Sequence, residues 1–156
     1  MSPGSPVTLT GHGWSTARIT LSWEDGRPLI QVTADAAGDF AVAWTVPITT
    51  TVGTHTVTAS DGSQTASGQI AVYAPTLAVS CVSTSAAVSL AGGGWPPSAR
   101  YTIRSSLLST PLSGIVGADG AFTNSFVPPA GALPGDYQFS ASAGSLLAEP
   151  QSCTLR

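Results

Sequence analysis

Residues 38–60, GDFAVAWTVPITTTVGTHTVTAS, return as residues 120–142, GAFTNSFVPPAGALPGDYQFSAS, at a constant spacing of 82 (38 to 120, 60 to 142). Phe40 falls on Phe122, Pro47 on Pro129, Gly53 on Gly135 and Ala59 on Ala141. Each copy holds a turn, an alternating strand, a proline stop, a loop that ends in Gly, and a second alternating strand. That is half of a β-sandwich written twice, and a repeat of this length divides the chain into two small domains. Domains of this size bury a limited core and often need a staple or a neighbour.

The rest of the chain has the same grain. Residues 7–14, VTLTGHGW, alternate and then break at glycines; they recur as residues 88–95, VSLAGGGW, 81 positions on. One residue inserted in the WPPSAR loop restores the spacing of 82. Residues 17–23, ARITLSW, place Ile19, Leu21 and Trp23 on one face and match ARYTIR. After the turn at Glu24, Asp25 and Gly26 come PLIQVTA and a second turn, DAAGD. Phe40, Val42, Trp44 and Val46 share a face until Pro47 ends the strand. His55, Val57 and Ala59 are expected to point inward, and GQIAVY (68–73) closes the first repeat. Short strands with turns every ten or so residues predict an all-β fold; no helical periodicity competes. Ala74 and Pro75 form the seam, too short for a flexible tether, which predicts a fairly fixed end-to-end relation.

Composition narrows the function classes. Only 8% of residues are charged, against ~25% in an average soluble domain, and the five basic residues, all Arg, face eight acidic ones for a net charge of −3. The basic footprint of a nucleic-acid binder is missing. A neutral surface rich in Ser, Thr and Gly suits close association more than electrostatic steering. No stretch approaches the ~18 apolar residues of a membrane span. The opening MSPGSP lacks the parts of a signal peptide, so an export signal is either removed or not of that kind.

Few residues point to chemistry. There is no G-x-S-x-G elbow and no carboxylate pair outside turns, so His12 and His55 do not suggest a hydrolase. Asp35 and Asp39 flank a loop of a kind that can hold Ca²⁺, but only Asp119 persists in the matching GADGA, and hairpin chemistry explains both. No metal and no cofactor is expected. Trp14 and Trp95 recur, as do Trp44 and Phe126, which argues for core packing. Trp23 does not recur, its counterpart being Ser105; beside Arg27 it is either edge packing or a platform for a sugar ring or a protein partner. Leu107, Leu108, Leu112, Leu133, Leu146 and Leu147 lie near strand ends, and a cluster of them would mark an interface.

The string GxGW, then a strand, a G-x-F turn and P…G-x-[HY]-x-[VF]-x-A resembles bacterial Ig-like domains, which occur in tandem in secreted and cell-surface proteins and on phage particles. The resemblance covers nearly all the chain. It implies two tandem Ig-like β-sandwich domains, at 1–74 and 75–156, and no particular ligand. Tyr137, two residues past Gly135, looks like the Tyr of a tyrosine corner; His55 replaces it in the first repeat. Some relatives of this kind carry Lys–Asn isopeptide bonds, excluded here because the chain has no Lys.

Two further expectations follow from that resemblance. In such sandwiches the first and last strands can lie side by side, which would bring Cys81 and Cys153 together as a disulfide in an oxidising compartment; two buried thiols are the alternative. The second repeat also opens with TLAVSCV (76–82), a strand the first lacks. Either the first domain is cut from a longer array, or a neighbouring copy supplies the strand to an open edge. The expected protein is therefore non-enzymatic: an extracellular or cell-surface structural or adhesive module in a larger assembly, partnered by itself or neighbouring subunits. A carbohydrate-binding module using Trp23 is the alternative, with a glycan as partner.

Overall fold

The computed structural model describes residues 1–15 and 18–156; the start of the second expected strand, at Ala17, lies outside them. The chain divides into unit 1, Met1–Val72, and unit 2, Tyr73–Arg156. Every regular element among the described residues is a strand.

Unit 1 holds β1 (Pro6–Gly11), β2 (Arg18–Trp23), β3 (Pro28–Thr33), β4 (Phe40–Thr45), β5 (Gly53–Ser60) and β6 (Thr65–Val72). One sheet is β1-β4, the other β3-β2-β5-β6, all antiparallel. Their inner faces carry the residues that alternation selects: Ile19 and Leu21 from β2, Phe40 from β4, and Val57 and Ala59 from β5 are all buried. Val46, fully buried, follows β4 just before Pro47 ends it.

Unit 2 holds β7 (Thr76–Ser80), β8 (Val88–Gly93), β9 (Arg100–Ser105), β10 (Leu112–Ile115), β11 (Phe122–Phe126), β12 (Gly135–Ala143), β13 (Leu146–Leu147) and β14 (Gln151–Leu155). Its sheets are β11-β8-β7 and β10-β9-β12, with β13 and β14 both on the far edge of β12. The sixth strand of unit 1 begins three residues before the expected start at Gly68, whereas its counterpart is split. Gly68 in β6 corresponds to Pro150, and a proline without an N–H interrupts the ladder between β13 and β14.

The repeat holds at atomic detail. Gly11 faces Phe40 across β1-β4, and Gly92 faces Phe122 across β8-β11. A Cβ on either glycine would fall 2.2 Å from the phenyl ring opposite, so glycine lets the ring lie flat across the strand. The Trp14 N–H donates to Gly38 O at 2.9 Å and the Trp95 N–H to Gly120 O at 3.0 Å. Gly38 and Gly120, at φ 83° and 76°, take the left-handed conformation that each G-x-F turn requires. The tryptophan and phenylalanine rings then meet at 6.1 Å in unit 1 and 6.0 Å in unit 2.

Candidate functional site

The two units differ at one edge. In unit 2, β7 pairs antiparallel with β8 and lies beside β14, to which the Cys81–Cys153 disulfide ties it with Cα atoms 5.8 Å apart. Thr76 O accepts from the Trp95 indole N–H at 3.0 Å. On the β8 strand beside it, Val88 and Leu90 are 0% and 1% exposed.

In unit 1 the same edge is open. Among the described residues no strand pairs with the free side of β1, and β6 is the end of its own sheet. A groove of about 360 Å³ runs between them, floored by Trp14, Leu21, Phe40, Val57 and Ile70. Val7 and Leu9, the counterparts of Val88 and Leu90, are only half-buried. Trp14 lines the groove, and among the described residues nothing accepts from its indole N–H. The Met1 ammonium donates to Ala71 O at 3.2 Å and closes one end. Ala71 stands where unit 2 has Cys153.

A second constellation surrounds Trp23, which is half-buried. It packs against Trp44 at 5.4 Å, and His55 stacks on it at 5.0 Å with 24° between planes. His55 is 6% exposed. Its Nδ1 donates to Glu24 Oε1 at 2.9 Å and its Nε2 to Thr51 O at 2.8 Å. Both partners only accept, so the geometry favours the doubly protonated ring. The Glu24 carboxylate, followed by the Thr51 carbonyl, raises the His55 pKa above its ordinary value, with burial opposing. Glu24 is lowered in turn, chiefly by His55 and then by the Thr56 N–H. The bond to Thr51 is the counterpart of the tyrosine corner, where Tyr137 O–H donates to Leu133 O at 2.9 Å. Both reach the carbonyl four residues upstream, so the corner exists in each unit with a different donor. Thr51 and Leu133 themselves lie 82 apart, the one signal in the sequence that marks this shared corner.

This geometry bears on the other candidate residues. A shallow depression of about 230 Å³ lies beside Trp23, but one face of the indole is taken by His55. Arg27 is exposed and reaches Asp25 at 2.9 Å, closing its own turn. The leucines do not form one surface patch, contrary to expectation. Leu107 and Leu146 are buried in the unit 2 core, with Leu108 and Leu112 packed against it. Their apolar side chains fold under the strand ends, and Leu133 and Leu147 remain exposed, at 71% and 70%. Asp35 Oδ1 accepts from the backbone of Ala37 and Asp39, and Asp119 Oδ1 from Ala121, as hairpin turns require. Exposed His12 meets Asp39 at 2.9 Å. Among the described residues no three His, Cys, Asp or Glu side chains are grouped to hold a metal ion.

Residues 4–76 match the family model described as Bacterial Ig domain. None of the curated proteins matches the chain. Among solved structures it is similar to a tetra-tandem repeat in the extending region of a large adhesion protein, at 21% identity and a TM-score of 0.45 over 96% of this chain. It spans 45% of that protein's chain. The ligand-binding domain of human OSCAR is 16% identical with a TM-score of 0.47, covering 99% of this chain and 92% of its own. A BSP domain of a biofilm-associated protein is 16% identical with a TM-score of 0.35, over 95% of this chain and 27% of the other.

Proposed function

We propose that this chain, built of tandem bacterial Ig-like domains, is a non-enzymatic structural or adhesive module that works outside the cell within a larger assembly. One observation carries the reading: the same sandwich is built twice in one chain, and in unit 2 a disulfide ties its first strand to its last. A disulfide between the first and last strands belongs to an oxidising environment. It also joins the two places where tension would enter and leave the sandwich, as suits a module held between neighbours. The few charges leave recognition to shape and backbone pairing rather than to steering.

Pulling the chain by its two ends tests this. A load-bearing module gives discrete unfolding events that recover over repeated cycles of relaxation. A featureless extension at low force, or a chain that does not recover, contradicts the reading.

A further inference from the structure

The loop between β4 and β5, residues 47–52, is built like its counterpart in unit 2, residues 129–134. The Thr50 N–H donates to Pro47 O at 3.0 Å, and the Ala132 N–H to Pro129 O at 3.0 Å. In each loop one carbonyl is tied to a side chain of the following strand, Thr51 to His55 and Leu133 to Tyr137. The ties differ in kind. Unit 2 closes its loop with a second proline, Pro134, where unit 1 has exposed Val52, and holds it with a neutral O–H. Unit 1 holds its loop with an imidazole that also serves Glu24. We infer that residues 47–52 form a latch, closed by His55 when its ring is doubly protonated and released when the ring is neutral, while both sheets of unit 1 stay folded.

Geometry decides which of the two bonds fails. A neutral ring has one N–H and one lone pair. The Glu24 carboxylate is the stronger acceptor, and its second oxygen takes the Thr56 N–H of β5 at 3.3 Å, so it stays with the strand that carries His55. The proton therefore remains on Nδ1. The Nε2 lone pair then faces the Thr51 carbonyl at 2.8 Å, and neither can donate. Among the described residues the loop's other hydrogen bond is the local one from Thr50 to Pro47, and every loop residue except Thr50 is exposed. The ring cannot follow the loop outward, because His55 is buried, stacked on Trp23 and paired with Ile70 in the β5-β6 ladder.

Few other charges face this ring. Asp25 and Arg27, in the turn that holds Glu24, pair with each other at 2.9 Å, and the Met1 ammonium lies against Ala71 O on β6. Neither β4 nor the loop carries a titratable side chain, and β5 and β6 add none besides His55. Glu24, and after it the Thr51 carbonyl, raises the His55 pKa above its ordinary 6.5, so the latch is closed below that value and opens as pH climbs through the folded one. Pro47, Thr49, Thr50 and Thr51 line the depression beside Trp23, so release of the loop takes away one of its walls.

Backbone order parameters from carbon-13 relaxation test the latch in the whole chain, alongside a nitrogen-15 titration of the His55 ring. Residues 49–52 should be rigid at pH 6, with values of about 0.85, and fall below about 0.6 by pH 9, with a midpoint on the ring's own titration. Residues 131–134 should not change, nor should Val57 and Ala59 of β5. In Glu24→Gln the carboxylate that raises the pKa is gone, so the ring's titration and the loop's release should move together to lower pH. In His55→Tyr the loop should stay rigid throughout; should that variant fail to fold, Glu24→Gln decides alone. The inference is overturned by a loop equally ordered at pH 6 and pH 9, or by an equal change in residues 131–134. Loss of order at Val57 and Ala59 along with the loop would also overturn it, as would release in Glu24→Gln that does not follow the ring.

Discussion

At position 55 unit 1 carries an imidazole where unit 2 carries the phenol of Tyr137, and both side chains reach the carbonyl four residues upstream. The exchange adds a charge, because only a protonated ring can donate to Thr51 and Glu24 together. It therefore adds a pH dependence. The folded His55 pKa is raised above its ordinary 6.5, so its contribution is complete below that value and is lost as pH climbs through the folded one. The folded Glu24 pKa is lowered below its ordinary 4.5, so its contribution is complete above that value and is lost as pH falls through the folded one. The pair thus supports unit 1 best between those two ordinary values. Melting temperatures followed by tryptophan fluorescence should fall from pH 6 to pH 8 more steeply in the native chain than in His55→Tyr. Parallel slopes would contradict the account. The strand glycines that face phenylalanine give a second prediction. Phe122 is stacked on Tyr101 at 3.8 Å and cannot retreat, so Gly92→Ala should destabilise unit 2 by about 1–3 kcal/mol in urea titrations.

Among elements, β1 and β8 have nearly the same sequence and different surroundings, which makes them a matched pair. Leu90, paired with Val79 of β7, is 1% exposed, and Leu90→Ala should cost about 2–5 kcal/mol by denaturant unfolding. Leu9 is half-buried beside the groove, so Leu9→Ala should cost clearly less; equal costs would mean that the edge is covered in solution. Strand order and sidedness were legible because alternation is a local signal, repeated at one spacing: Phe40 with Phe122, Ile19 and Leu21 with Tyr101 and Ile103. The lack of a counterpart to TLAVSCV was legible for the same reason. The groove itself was not, since it lies between strands far apart in sequence, β1 and β6. The leucines misled because hydrophobicity near a strand end does not say which way a loop folds; Leu107 turns under and Leu133 turns out. The role of His55 was not legible because an imidazole, unlike the phenol of Tyr137, has several local uses, and only the fold brings its Nε2 to the Thr51 carbonyl.

For the whole molecule, one plan with two finishes makes the units unequal under stress. The disulfide spans 72 residues, and its loss should cost unit 2 about 2–5 kcal/mol, measurable in Cys153→Ser by denaturant unfolding. Under tension those 72 residues are bypassed, so a reducing agent should lengthen the fully extended chain by roughly 250 Å, at ~3.5 Å per residue. An extension insensitive to reductant would show the bridge unformed. The account depends most on the open side of β1, which residue-resolved amide exchange reads directly in the unmodified chain. It predicts that every second N–H along Pro6–Gly11, the set not engaged by β4, exchanges far faster than the equivalent set on Val88–Gly93, which β7 covers. Equal protection on the two strands would contradict it.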